Sequence, residues 1–131
     1  FVGQPTIVIF YLGFGCLHCV EQLHAFSPRA AEFKNAGIQL MGISSEDVES
    51  LNSGLASFGS EALHIPLHSD AQLTAFKAYR CFDDFEQQPL HGTFLLDAHG
   101  RVLWQDIGYD PFMDVDFLLK ESQRLLALPR D

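Results

Sequence analysis

The run Thr6-Ile7-Val8-Ile9-Phe10 is followed, after a glycine-bearing turn over residues 11–15, by Cys16-Leu17-His18-Cys19. The first run is apolar and rich in β-branched residues, which is typical of a strand buried on both faces of a sheet. A helical pattern begins near Val20, so the two cysteines lie where a strand passes into a helix. Two thiols three residues apart in that context indicate a redox pair that closes and reopens a disulfide, rather than half of a zinc site.

Outward from this stretch the chain alternates between strand and helix patterns. Apolar residues at helical spacing run from Val20 to Phe33, where Pro28 predicts a kink and Gly37 an end. The other predicted strands are Ile38–Ile43, His64–Leu67, Thr93–Leu96 and Arg101–Ile107, and the other predicted helices follow Ser44-Ser45, Asp70 and Asp110-Pro111. This order predicts parallel crossovers followed by an antiparallel hairpin. We therefore predict an α/β fold, a three-layer α/β/α sandwich with a mixed central β-sheet.

Length and composition predict one domain over residues 1–131, with 47% hydrophobic and 19% charged residues. The net charge of −9 repels phosphate backbones, so we expect no nucleic-acid partner. No apolar run approaches membrane-spanning length, so we expect no membrane insertion. Because the chain opens on Phe1 rather than Met, we interpret it as a domain excised from a longer chain. Its compartment is left open.

The predicted position of the cysteines favours thiolate chemistry. A helix N-terminus offers unpaired N–H groups and the positive end of the dipole, and both lower the pKa of a thiol there. His18 either adds positive charge when protonated or faces solvent without a role. Cys16 lies nearer the turn and is predicted to be the more exposed. We therefore predict Cys16 as the nucleophile of disulfide exchange and Cys19 as the resolving thiol, an order that inverts in a peroxidase.

Further segments of the chain carry a family resemblance. They are Phe10-Tyr11, the cysteine loop, Gly42-Ile43-Ser44, Ile65-Pro66-Leu67 with Ser69-Asp70, and Thr93-Phe94-Leu95-Leu96-Asp97 with Gly100. In this order they resemble the AhpC/TSA (redoxin) family of the thioredoxin-like superfamily, which includes peroxiredoxins and TlpA- and ResA-type thiol–disulfide oxidoreductases. The resemblance spans about Thr6 to Leu126. It implies a thioredoxin-like fold and a redox-active cysteine.

Residue by residue, the resemblance divides between two subfamilies. Against peroxiredoxins of the bacterioferritin-comigratory type, Cys19 falls on the peroxidatic position and Cys16 on that of a peroxide-binding Thr. His91, three residues before Phe94, falls where peroxiredoxins carry Arg and where TlpA-like proteins carry a cis-proline. We therefore predict that His91 faces the cysteines and acts as a cation or a proton shuttle.

The candidate site residues are thus Cys16, Cys19, His18 and His91, and they predict a thiol–disulfide oxidoreductase. The alternative is a peroxiredoxin-like thiol peroxidase, an antioxidant, with Cys19 as the attacking thiolate. A lower alternative is a copper-binding module similar to Sco proteins, with the cysteines and a histidine as ligands. The predicted partners are protein thiols or disulfides, or a small peroxide, together with an electron-donating thiol system. No cofactor is predicted.

A third cysteine, Cys81, has two interpretations. It either resolves a sulfenic acid on Cys19 or packs in the core as a small hydrophobic residue, which is the commoner fate of a free cysteine. The acidic residues that follow it, Asp83, Asp84 and Glu86, predict a solvated loop.

Overall fold

A computed structural model describes residues 3–13, 17–58 and 65–128, and for residues 17–20 and 55–58 it describes the backbone. Within these ranges the chain forms seven strands and five α-helices. In chain order they are β1 Thr6–Tyr11, α1 Leu17–Phe26, α2 Ala30–Asn35, β2 Gln39–Ser44, α3 Val48–Phe58, β3 Leu67–Ser69, α4 Thr74–Ala78, β4 Phe82–Asp83, β5 Gln88–Pro89, β6 His91–Leu96, β7 Val102–Gly108 and α5 Val115–Ala127.

Five strands form one mixed sheet in the order β3-β2-β1-β6-β7. β1 pairs in parallel with β2, and β2 in parallel with β3, whereas β6 runs antiparallel to both β1 and β7. β1 therefore lies at the centre of the sheet, and all six of its residues are buried. The predicted α/β fold with a mixed sheet is confirmed.

The central strand divides the core in two, because successive side chains of a strand point to opposite faces of a sheet. Ile7 and Ile9 lie in a cluster with Leu23 of α1. Phe10 lies in a second cluster with Phe76 of α4, and the two ring centroids are 5.0 Å apart in an edge-to-face arrangement. Helices thus cover both faces of the sheet, and α1 lies on the face of Ile7 and Ile9.

The kink predicted at Pro28 is confirmed. α1 ends at Phe26, a single 3₁₀ turn follows over Ser27–Arg29, and α2 begins at Ala30. Proline has no N–H to donate and its ring crowds the preceding turn, so a continuous α-helix is interrupted there.

The start of α3 differs from the sequence prediction. Asp47 caps the helix, since its Oδ1 accepts a hydrogen bond of 2.8 Å from the backbone N–H of Ser50. Ser44-Ser45, predicted as the cap, lie before this residue and make other contacts. Val48, predicted to face inward, is 62% exposed.

The start of α5 also differs from the prediction. Asp110-Pro111 was expected to begin this helix, but its first residue is Val115. Asp114 is the cap, and its Oδ1 accepts a hydrogen bond of 3.0 Å from the backbone N–H of Phe117. Both sites offer an aspartate before an apolar helical pattern, so packing against the sheet decides between them.

The acidic segment after Cys81 is a small hairpin rather than a plain loop. β4 and β5 pair through Phe82 with Pro89 and Asp83 with Gln88. The Asp83 carboxylate accepts hydrogen bonds from the N–H groups of Phe85 and Glu86, and a further one from the hydroxyl of Tyr109. Strands of two residues carry no readable periodicity, which explains why the sequence does not predict them.

The turn between β6 and β7 gives a prediction about stability. Asp97 is buried, and its Oδ1 accepts hydrogen bonds of 2.8 Å and 2.9 Å from the N–H groups of His99 and Arg101. The Arg101 backbone hydrogen bond is the main cause that lowers the pKa of Asp97. A lowered pKa stabilises the fold above the pKa of the unfolded state, about 3.9, and the stabilisation is lost as pH falls through the folded value.

We therefore expect Asp97→Asn to lower the midpoint of thermal unfolding by several degrees at pH 7. The difference from the wild type should shrink as pH falls from about 4 through the lowered pKa of folded Asp97, because both chains carry a neutral group at this position only below that value. Circular dichroism melts at several pH values measure this, with the exposed Asp110→Asn as control. A difference that stays constant down to strongly acidic pH would contradict the expectation.

Candidate active site

The cysteine motif lies at the start of α1. The chain leaves β1 at Tyr11, and α1 begins at Leu17, so His18 and Cys19 belong to its first turn. The N–H groups of a first helical turn have no partner inside the helix and favour a negative charge. This is the strand-to-helix position that the sequence predicts. Cys16, and the side chains of His18 and Cys19, lie outside the described residues, so their predicted roles remain predictions.

His91 is brought to the end of the sheet from which the cysteine segment departs. It is the first residue of β6, pairs with Gly108 of β7, and is 4% exposed. Phe10, near the end of β1, pairs with Gly92, the residue directly after His91. Ile9 pairs with Thr93, and residues two apart in a strand share a face. His91 and Thr93 therefore lie on the face that α1 covers.

Gln22 is a site residue that sequence reasoning missed. It lies in α1 three residues after Cys19 and is 1% exposed. Its Nε2 donates hydrogen bonds to Thr93 Oγ1 at 3.2 Å and to the carbonyl of Phe112 at 3.1 Å. Gln22 thus ties α1 to β6 and to the segment before α5. The sequence did offer one sign of this role. Gln22 is a polar residue next to Leu23, on the side of the helix that the apolar pattern assigns to the core.

The amide oxygen of Gln22, Oε1, has no hydrogen-bond partner among the described residues. This atom is also buried. An unsatisfied buried acceptor costs free energy, and most buried polar atoms in folded proteins have a hydrogen-bond partner. The residues beside α1 therefore include a hydrogen-bond acceptor that is available to a donor.

Cys81 lies on the other side of the sheet. It is fully buried in the cluster that contains Phe10 and Phe94. Gly92 has no room for a side chain, because a methyl group there would collide with the Cys81 sulfur. Gly92 and His91 are neighbours in β6 and present opposite faces, so the sheet separates Cys81 from α1. This agrees with the second interpretation, a cysteine that packs in the core.

Burial raises the pKa of Cys81 to about 12. We expect this thiol to resist iodoacetamide at pH 8 in the native protein and to react only after denaturation, because the thiolate is the reacting species. Mass spectrometry of native and urea-unfolded samples, followed by peptide mapping, measures the difference. Fast labelling of Cys81 under native conditions would contradict its placement in the core.

Neither a metal-binding cluster nor a membrane-spanning helix is found within the described residues. Among the side chains that the structure describes, no three His, Cys, Asp or Glu come together as a metal site. The cysteines of the copper-binding alternative lie outside that set. No helix within the described ranges combines the length and the apolar character needed to cross a bilayer.

Comparison with known proteins agrees with this fold. The model of the AhpC/TSA family matches residues 1–105. The chloroplastic peroxiredoxin Q of Sedum lineare is 31% identical over 127 residues, which cover 95% of this chain and 67% of the relative. A protein of Mycobacterium tuberculosis that bears a peroxiredoxin name is 31% identical over 108 residues, 77% of this chain and 66% of the relative. The chain thus spans about two thirds of these relatives.

Among solved structures, peroxiredoxin Q of Xanthomonas campestris superposes with a TM-score of 0.80 at 22% identity, over 94% of this chain and 80% of that one. Fold and motif together define a thioredoxin-fold domain of the redoxin class. Within that class the chain belongs to the AhpC/TSA family, as the resemblance in the sequence implies.

Proposed function

We propose that this domain is a thiol peroxidase of the peroxiredoxin type, with Cys19 as the attacking thiolate and Cys16 as the resolving cysteine. The main support for this proposal is the packing of helix α1 on the sheet face that contains His91. The helix whose first turn contains Cys19 covers the sheet face on which His91 is buried, at the end of β1. The similarity to proteins named peroxiredoxins favours a peroxide over a disulfide as the first substrate proposed for this domain.

In the first step the Cys19 thiolate attacks the outer oxygen of a hydroperoxide. An S–O bond forms, the O–O bond breaks, and the thiol is oxidised to a sulfenic acid while the peroxide is reduced to an alcohol or water. The departing oxygen needs a proton, and His91 is the proposed donor because imidazolium is a good acid near neutral pH. A positive charge on His91 also stabilises the thiolate before attack.

In the second step the Cys16 thiol attacks the sulfenic sulfur. A disulfide forms between Cys16 and Cys19, and water leaves. An external dithiol then reduces that disulfide by exchange, becoming oxidised in turn. The thiol–disulfide exchange predicted from the C-x-x-C spacing thus becomes the second half of the cycle.

Three features at or beside α1 are proposed to assist the reaction of the Cys19 thiolate. The first turn of the helix offers N–H groups and the positive end of its dipole to the anionic sulfur. Gln22 holds α1 against β6 through its hydrogen bond to Thr93. His18 is proposed to add positive charge beside the thiols when it is protonated.

Disulfide exchange without peroxide chemistry is the second candidate, because a C-x-x-C pair at a helix start is sufficient for it. In that case Cys16 attacks a protein disulfide and Cys19 resolves the mixed disulfide. The two candidates differ in the substrate that oxidises the pair.

The test uses the reduced protein. One equivalent of hydrogen peroxide should convert it rapidly to a form lighter by two hydrogens, and excess dithiothreitol should sustain continuous peroxide consumption. Insulin reduction is measured in parallel. Efficient insulin reduction with no acceleration of peroxide consumption over buffer would reject the peroxidase and favour the second candidate.

A further inference from the structure

The hairpin formed by β4 and β5 presents an aromatic side chain to solvent. Phe85, at its tip, is 98% exposed, and Tyr109, directly after β7, is 69% exposed. The Tyr109 hydroxyl donates a hydrogen bond to the Asp83 carboxylate of the hairpin, so the two rings belong to one surface. We call Phe85 and Tyr109 the aromatic patch. Single exposed apolar residues are ordinary on a protein surface, whereas neighbouring exposed aromatic rings are typical of a contact surface.

The turn that carries Phe85 is held by hydrogen bonds. Asp83 Oδ1 accepts from the backbone N–H groups of Phe85 at 2.9 Å and Glu86 at 3.1 Å. The side-chain amide of Gln87 donates to the Asp84 carbonyl at 2.6 Å. A contact residue on a turn that is already ordered loses little conformational freedom on association, so more of its contact energy contributes to affinity.

Negative charge surrounds the aromatic patch. Asp84 and Glu86 are exposed, and within the described part of the chain neither of them forms an ion pair. The hydrogen bond to Asp83, together with the nearby charges of Asp83 and Glu86, raises the pKa of the Tyr109 hydroxyl above its usual value. Because complementary potentials steer association, an apolar depression bordered by lysine or arginine is the partner surface that fits this patch.

The aromatic patch lies beside the candidate active site. Pro89, which pairs with Phe82 in the hairpin, precedes His91 by two residues, a span of at most about 7 Å. On the other side, Tyr109 directly follows Gly108, which pairs with His91. Both parts of the patch therefore flank the end of the sheet from which the cysteine segment departs. A protein that docks on the patch stands at this end of the molecule.

We propose that the aromatic patch is the docking surface for the protein dithiol that reduces the Cys16–Cys19 disulfide, and that Phe85 enters an apolar depression with a basic rim on that partner. The inference rests on the proposed function, which requires an external dithiol. After docking, a thiolate of the partner attacks one sulfur of the disulfide, and a mixed disulfide forms. The second thiol of the partner then breaks that bond, which leaves the partner oxidised and both cysteines of this chain reduced.

The experiment separates a protein reductant from a small one. The disulfide is formed beforehand with oxidised glutathione, and its reduction is followed with reduced thioredoxin, with reduced glutaredoxin and, in parallel, with dithiothreitol. The variants are Phe85→Ser, the conservative Phe85→Tyr, and the double variant Asp84→Asn with Glu86→Gln. Val102→Ser is the control, because it removes an exposed apolar side chain at the other end of β7.

We expect Phe85→Ser to lower the second-order rate constant with a protein dithiol at least about tenfold, because an aromatic anchor is lost. The rate with dithiothreitol should be that of the wild type, because a small dithiol needs no docking surface. Phe85→Tyr and Val102→Ser should keep the wild-type rates with every reductant. The double variant should react about threefold more slowly with the protein dithiol at low salt, and the difference should vanish near about 0.5 M salt, where charges are screened.

Three results would overturn the proposal. One is an equal rate of Phe85→Ser and the wild type with both protein dithiols, and another is an equal loss with dithiothreitol. The third is a double variant that matches the wild type at low salt, because the rim of the partner is then not basic. Failure of the proposed function has a different signature. A wild-type protein that consumes no peroxide with dithiothreitol rejects the peroxidase, whereas a Phe85 effect limited to protein dithiols still supports docking.

Discussion

Replacement of Cys19 by serine is expected to lower peroxide reduction by at least about 10³-fold, to the rate of the buffer. A serine hydroxyl stays protonated at neutral pH even at a helix N-terminus, so no nucleophile comparable to a thiolate remains. Stopped-flow measurement of peroxide consumption with excess dithiothreitol detects the loss. Cys81→Ser is the matched control, because Cys81 lies across the sheet from α1, and it should keep the wild-type rate.

Cys16→Ser should behave differently from Cys19→Ser. The first peroxide equivalent still reacts, and the product is a protein heavier by one oxygen, because the sulfenic acid has no resolving thiol. A dimedone adduct at Cys19 identifies that product by mass spectrometry. If the adduct forms at Cys16 in the Cys19→Ser protein and not at Cys19 in the Cys16→Ser protein, the roles of the two cysteines are reversed.

Replacement of His91 is expected to have the second largest effect. His91→Gln should lower the second-order rate constant with hydrogen peroxide by about 10²-fold, the usual contribution of a positioned proton donor. Glutamine still forms hydrogen bonds but carries no proton to transfer and no positive charge. The variant should also lose the part of the pH–rate profile in which imidazole changes its charge, whereas a residue that only packs would leave the shape of the profile unchanged.

The control for this change is His99→Gln, because His99 is exposed in the turn at the opposite end of β6. It should react like the wild type. Thermal melts of both variants separate a loss of catalysis from a loss of fold. A His91→Gln protein that is stably folded and keeps both rate and pH profile would remove His91 from the mechanism.

The sequence by itself determined the elements whose signals are local. The run from Thr6 to Phe10 is short, β-branched and almost wholly apolar, a composition that favours a strand buried on both faces, and it becomes the central strand. Pro28 interrupts its helix and Gly100 takes a positive φ of 83°, since both effects belong to the residue and its neighbours. The start of α1 beside Cys19 follows from the same local pattern.

Only the tertiary structure decided which side chains meet. Cys81 and His91 are both near β6 in sequence, yet strand alternation puts them on opposite sides of the sheet. Gln22 binds Thr93 and the carbonyl of Phe112, residues that are 71 and 90 positions away, and Glu46 packs on Gly13 across two strand ends. Periodicity reports the face on which a residue lies, whereas long-range hydrogen bonds and close contacts depend on how the finished layers stack.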